Sequence, residues 1–207
     1  MVATSRELEL VGRVGAFVQD FSNSRGVVKA ARHKPGDAMS TTHPAANGNY
    51  TSHGLPHGST SLTPHIVVSP AKGALDLYAS VFGAKIGAVH RMGDAIAHAD
   101  LEFTSGKMTV SDPLPDYDLV RPSEGSVTYS LALYVADVDA VVAKAVASGA
   151  RLREPVSTFV SGDRSASIVD PFGVRWTVMT RVEDLSPQES AARVARWAAS
   201  MATHGET

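Results

Sequence analysis

The landmarks of residues 68–106 recur in residues 135–173, and this internal repeat constrains the chain more than any other feature. Val68-Ser69-Pro70 is echoed by Val135-Ala136-Asp137, 67 positions later (135 − 68), and Gly106 by Gly173 at the same offset. Gly83-Ala84-Lys85 is echoed by Gly149-Ala150-Arg151 at 66, so the intervening stretch absorbs one deletion. A repeat of this period predicts two copies of one supersecondary unit. The copies must pack together, because half a sheet cannot cover both its faces alone.

Hydrophobic periodicity gives the content of each copy. Ile66-Val67-Val68 reads as a strand. Ala71 to Phe82 reads as a helix with Ala74, Leu75, Tyr78 and Phe82 on one face, ended by Gly83. Lys85–Met92, Ala95–Phe103 and Lys107–Asp112 read as strands, separated by Gly93-Asp94 and Ser105-Gly106 turns. Pro113 to Gly125 is a polar, proline-bearing link. The order then returns: a strand over Val127–Val135, a helix over Val138–Ser148 stopped by Gly149, and strands near Arg151–Val160, Ser165–Val169 and Val174–Thr180. Each unit is therefore βαβββ. The expected modules are 61–112 and 127–180, within one α+β domain over 61–183.

The flanks differ from this domain. Residues 1–21 carry helical spacing, with Leu10, Val14, Phe17, Val18 and Phe21 in one stripe behind a Thr4/Glu7 capping box. Residues 22–60 are rich in Ser, Thr, Asn, Gly, Pro and His and too poor in apolar side chains to offset ordering entropy; they read as a linker or surface arm. Met39 offers a second natural start. His33, His43, His53, His57 and His65 fall in and just after this arm, without helical order, and read as polar linker rather than a metal-sequestering segment. Over residues 184–207, Ser186-Pro187-Gln188-Glu189 caps a last helix with Val194, Trp197, Ala198 and Met201 on one side.

Composition excludes several chemistries. The 207 residues include no cysteine, which removes disulfides, thiolate-bound metals and thiol nucleophiles. A net charge of -2 gives nucleic acid no basic surface. No apolar run reaches the roughly 20 residues of a membrane span. The N-terminus lacks a basic start followed by an apolar run, so a cytoplasmic protein is expected.

Thr63-Pro64-His65-Ile66-Val67-Val68, Ala74-Leu75-Asp76-Leu77-Tyr78 with Val81-Phe82-Gly83-Ala84, Tyr134-Val135-Ala136-Asp137-Val138-Asp139-Ala140, and Gly162-Asp163-Arg164-Ser165 with Asp170-Pro171-Phe172-Gly173-Val174-Arg175-Trp176 together resemble the vicinal oxygen chelate superfamily. That group holds glyoxalase I, extradiol dioxygenases, fosfomycin-resistance enzymes and bleomycin-binding proteins. The resemblance implies two tandem βαβββ modules forming a cupped mixed sheet around a cavity, flanked here by extra N-terminal and C-terminal helices.

The resemblance also implies a test for metal. Enzymes of the group place ligands on the first and fourth strands of each unit. Here those positions hold Thr63 and Ser130, then Thr177 and, by subtracting the repeat offset, Val110. Neutral hydroxyls and a valine are poor ligands for zinc, nickel or iron, which take N, S or anionic O donors. A displaced site built on His65 and Asp112 is the alternative, since Asp112 shares the parity of Val110. His98, Asp100 and Glu102 share one strand face, but strand spacing places His65 and His98 about 10 Å apart. Arg175, Thr177 and Met179 share one parity, so Arg175 either enters the cavity or pairs with Asp112 or Glu102. Tyr134 shares the parity of Ser130, and Trp176, of opposite parity to Thr177, is expected in the core. Arg164 reads as part of an exposed turn.

The leading expectation is a binding protein of the glyoxalase/bleomycin-resistance type, in which His65, His98, Asp112, Ser130, Tyr134, Arg175 and Thr177 hold a small molecule such as an antibiotic or secondary metabolite, with no cofactor. The rival is a lyase, isomerase or oxygenase that uses a divalent metal (zinc, nickel or iron) at a displaced site, or metal-free acid–base chemistry. A third reading puts the work in the N-terminal helix and arm. A homodimer is expected, with no nucleic-acid or membrane partner.

Overall fold

A computed structural model describes residues 44–123, 125 and 128–204. The expected N-terminal helix over 1–21 lies outside them. Residues 44–60, expected as linker, form a small hairpin of β1 (Thr51–Ser52) and β2 (Leu55–Pro56), turned at His53-Gly54 with positive φ at both. Its hydrogen bonds are local, such as Gly54 N–H to Ala46 O and His57 N–H to Tyr50 O.

The first unit comprises β3 (His65–Val67), α1 (Ala71–Phe82), β4 (Lys85–Met92), β5 (Ala95–Glu102) and β6 (Lys107–Ser111). The second comprises β7 (Leu131–Tyr134), α2 (Val138–Ala147), β8 (Arg151–Thr158), β9 (Asp163–Val169) and β10 (Arg175–Arg181). Strand orders are β3-β6-β5-β4 and β7-β10-β9-β8, so the first and fourth strands of each unit pair side by side. That pair is parallel and the others antiparallel, the same topology twice. The seventh strand is shorter than expected, starting at Leu131; residues 126 and 127 lie outside the described set.

Alternation decides which face of each sheet meets its helix. Ile96, Ala99 and Leu101 on β5, and Met108 and Val110 on β6, are buried against α1, which contributes Ala74, Leu75 and Tyr78. Trp176 and Val178 on β10 and Ile168 on β9 meet Val138, Val142 and Ala145 of α2. Both sets join in one core. Phe82 and Tyr78 of the first unit touch the Trp176 ring of the second, with centroids 4.7 and 5.1 Å away. Lys144 of α2 also donates to the Ser80 carbonyl of α1.

Each helix start is held by a side chain from the end of its unit's fourth strand. Asp112 Oδ1 accepts from Ala71 N–H at 2.9 Å, where α1 has Pro70 as N-cap and no local capping bond. Thr180 Oγ1 accepts from Val138 N–H at 2.9 Å, while Asp137 caps α2 through Ala140 N–H. These bonds satisfy donors that a helix start leaves without intrahelical partners.

The C-terminal helix α3 (Pro187–His204) begins as expected, with Ser186 Oγ accepting from Glu189 N–H at 3.1 Å. It is pinned by Arg193 to Glu183, Ser190 to the Ser161 carbonyl, and Trp197 against Phe159, edge to face at 4.9 Å. Trp197 and Met201 nevertheless stay 42% and 58% exposed, so the stripe is only partly covered.

Candidate functional site

A cavity of about 490 Å³ opens on the face of the first sheet opposite α1. Alternate residues of the strands form its floor: His65 from β3, Thr109 and Lys107 from β6, and His98, Asp100 and Glu102 from β5. Register makes this a row, for Thr109 pairs with His65 on one side and with Asp100 on the other. Thr63 and Ser59 also line it, with Gly87, Leu101 and Met108. Leu119 joins the lining, placed by the Leu114–Leu119 bridge around the 3-10 turn Pro115–Tyr117.

His65 is fixed at both ring nitrogens. Nδ1 bonds Thr109 Oγ1 at 2.8 Å and Nε2 bonds Ser111 Oγ at 3.2 Å. A neutral imidazole has one donor and one acceptor, and a hydroxyl can play either part, so both contacts are satisfied without charge. Part of the residue stays open to solvent, yet packing around the ring lowers its pKa below the ordinary histidine value, and neighbouring His98 lowers it further.

His98 and Asp100 form a pair, Nε2 to Oδ1 at 3.0 Å. The rings of His65 and His98 lie parallel, 6.3 Å between centroids and 8° apart in plane, and His90 on β4 lies 6.1 Å from His98. The expectation that strand spacing keeps His65 and His98 apart is therefore corrected. At this point the strand between them presents the short side chains of Thr109 and Ser111, and the long imidazoles lean over them.

Asp112 does not line this cavity. Oδ1 caps α1 and Oδ2 accepts from Ile96 N–H at 2.8 Å, so both oxygens hold backbone. The expected inward parity rested on a constant repeat offset, which fails in the fourth strand. Val110 is fully buried toward α1, and Thr109 takes the cavity side. The structural partner of Thr177 is Thr109, 68 positions earlier (177 − 109), as Thr180 is the partner of Asp112 (180 − 112). One residue of slip reverses every side chain on a strand.

The remaining expected residues lie on the second sheet and none lines this cavity. Ser130 Oγ bonds Thr177 Oγ1 at 3.2 Å. Tyr134 donates to Asp163 Oδ1 at 3.1 Å and is 55% exposed. Arg175 pairs with Glu154 at 3.0 Å and with Ser167 Oγ, not with Asp112 or Glu102. Arg164 is a β9 residue gripping Asp139 with two 2.6 Å bonds rather than a free turn residue. Sequence reasoning missed Thr109, Ser111 and Lys107; alternation with the apolar Met108 and Val110 was the available signal.

The corrected family positions are Thr63, Thr109, Ser130 and Thr177. All four are hydroxyls, divided between two sheets, and His65 and Asp112 already spend their polar atoms on the fold. This donor set does not fit a divalent metal. Among the described residues, no three His, Asp or Glu side chains are grouped to hold one.

Asp170, in the Asp170-Pro171-Phe172-Gly173 turn, joins the two units from a 4% exposed position. Oδ1 accepts from Phe172 and Val174 N–H, and Oδ2 accepts from Trp176 Nε1 and Tyr78 Oη. Gly173 has φ of 90°, which this tight return requires. Phe172 lies so near Gly73 of α1 that a Cβ there would meet its ring at 3.1 Å.

Comparison with known proteins agrees with this geometry. An uncharacterized Mycobacterium bovis protein, Mb0911c, is 29% identical over 137 residues, which is 64% of this chain and 90% of that protein. The uncharacterized Mycobacterium tuberculosis protein Rv0887c matches at the same identity over 64% of this chain and 81% of its own length. In structure, protein PA1353 of Pseudomonas aeruginosa superposes with a TM-score of 0.51 at 24% identity, covering 59% of this chain and 98% of that one. The family model for the Glyoxalase/Bleomycin resistance protein/Dioxygenase superfamily matches residues 58–178, more than half of the sequence. With its two βαβββ units and the turn that joins them, the chain belongs to the glyoxalase/bleomycin resistance protein/dioxygenase superfamily.

Proposed function

We propose that this protein binds a small organic molecule, an antibiotic or secondary metabolite, in the cavity above β3, β5 and β6, and that it does so without a metal. The observation that carries this reading is the cavity wall itself. Its size is within the range of small-molecule sites. Its hydroxyls and imidazoles suit hydrogen bonding, and its family positions lack metal donors. Sequestration needs affinity alone and asks for no catalytic group.

A homodimer is part of the same proposal. The cavity draws its wall from residues 59–119 only, and Arg175, Thr177 and Met179 on the matching face of the second sheet are half-buried rather than sealed in the core. The half-exposed stripe of Trp197 and Met201 offers a further apolar surface. No helix among the described residues is long and apolar enough to cross a membrane, and the near-neutral charge gives no basic face for nucleic acid. A second reading, metal-free acid–base catalysis, draws support from the His98–Asp100 pair, because a carboxylate on one ring nitrogen directs the other toward proton transfer.

The test is a thermal-shift screen against antibiotics and secondary metabolites, since a ligand of the folded state raises the melting temperature. Hits whose shift disappears in Thr109→Val and His98→Ala support the cavity. Hits unaffected by both move the site elsewhere.

A further inference from the structure

The C-terminal helix α3 leaves the body of the domain part-way along its length. Ser190 and Arg193 hold its first turns and Trp197 touches Phe159, yet every residue from Ala195 to Met201 is exposed. Five of those seven are apolar: Ala195, Trp197, Ala198, Ala199 and Met201. A helix in water draws most of its stability from a packed face, and these two turns have almost none. Beside them, toward the end of β8, lies an open hollow of about 650 Å³ walled by Phe159, Val160 and Trp197 and rimmed by Arg193 and Arg196. A groove along a helix is the seat that an amphipathic helix fills, through apolar residues three, four and seven positions apart. The same chain carries such a stripe at Leu10, Val14, Phe17, Val18 and Phe21, outside the described residues.

We propose that residues 8–21 of a second copy cover this half of α3, so that the homodimer forms by exchange of N-terminal segments. This rests on the homodimer reading given above and names the segment that makes the contact. Area favours exchange over a direct pairing of two α3 stripes. Trp197 and Met201 together present on the order of 200 Å². Pairing them face to face buries little more than that per copy, against roughly 800 Å² in a stable interface. Exchange adds the five large side chains of the N-terminal stripe, and twofold symmetry makes each helix pair twice. Reach is sufficient. Residues 22–43 supply 22 positions (43 − 21), about 75 Å when extended, against roughly 40 Å across a domain of this size. Charge agrees as well. Arg196 is the one charged residue between Ala195 and Met201, and helical spacing lines Glu9, Arg13 and Asp20 along one edge of the stripe, with acid in excess.

The experiment uses the full chain. It has two tryptophans, and Trp176 is buried, so acrylamide quenching of fluorescence reads the cover over Trp197. Sedimentation velocity reads the assembly in the same samples. In the wild-type chain Trp197 should be shielded at micromolar concentration and should become quenchable on dilution, in step with the appearance of monomer. Leu10→Asp/Phe17→Asp changes only the N-terminal segment. It should sediment as a monomer at every concentration, with the quenching constant of diluted wild type. Gln19→Asp, opposite the stripe, should change neither reading. A double variant that stays dimeric, or a wild-type dimer whose Trp197 is as quenchable as that of the monomer, overturns the exchange and leaves the homodimer standing. Shielding that survives dilution into monomer also overturns it and assigns the cover to the chain's own segment. A wild-type monomer at every concentration, with Trp197 open, refutes the homodimer itself, so the two ideas fail separately.

Discussion

The Tyr78 hydroxyl of the first unit donates to Asp170 Oδ2 of the second at 2.7 Å, and both groups are buried. This bond ties a helix of one repeat to the turn of the other. Tyr78→Phe should leave Asp170 with its three other donors, so no charge is orphaned. A hydrogen bond to a buried carboxylate is worth about 1.5–3 kcal/mol, and the variant should lose that much stability by urea denaturation. Burial, then the charge of Asp170, raises the Tyr78 pKa well above its ordinary value. Above about pH 10 the unfolded tyrosine ionises while the folded one does not, so wild-type stability falls as pH rises. Tyr78→Phe should lack that contribution.

Removal of residues 1–58 should leave a folded domain. The described bonds of the β1–β2 hairpin close on itself, including Ser52 Oγ to His57 Nε2 at 2.9 Å. Thermal unfolding should stay cooperative, with a melting temperature lowered by about 4 °C or less. Loss of the transition would make the arm part of the core.

His65 should give stability an acid dependence. Its folded pKa is depressed by burial and by His98. Above the unfolded value of about 6.5 both states are neutral and nothing is lost. As pH falls below that value the unfolded chain takes the proton first, and folded stability declines until the folded pKa is reached. His65→Asn should flatten this part of the profile, measured by urea titrations between pH 7.5 and 4.5. An unchanged slope would contradict the burial assigned to the ring.

Sedimentation velocity at micromolar concentration should show a species twice the 21.7 kDa of the chain. A lone monomer peak would mean that the half-exposed Trp197–Met201 stripe serves no second copy.

Much of the architecture was legible because strands and helices write their periods into the sequence. The helix over Ala71–Phe82 and the strand over Lys85–Met92 match the expected limits, and Trp176 is buried as its parity demanded. The candidate site was less legible. Gly106 and Gly173 keep one offset, but β6 starts one residue after its glycine and β10 two, so Val110 and Thr109 exchange faces. Asp112 looked like a cavity acid because it shares the parity of Val110, and that same parity turns both toward α1, where the carboxylate holds Ala71 and Ile96. The approach of His65 to His98 depends on how small Thr109 and Ser111 are, which strand spacing alone does not express.

Metal independence of the cavity is the central claim, and calorimetric titration of a screening hit before and after dialysis against EDTA tests it most directly. The account predicts dissociation constants that agree within about twofold, and a His65→Ala loss of roughly 0.5–1.5 kcal/mol, exerted through the Thr109 hydroxyl that His65 holds in the cavity wall. Abolished binding after EDTA, restored by zinc, nickel or iron and showing no additive loss with His65→Ala, would contradict it, because chelation and substitution would then remove the same centre.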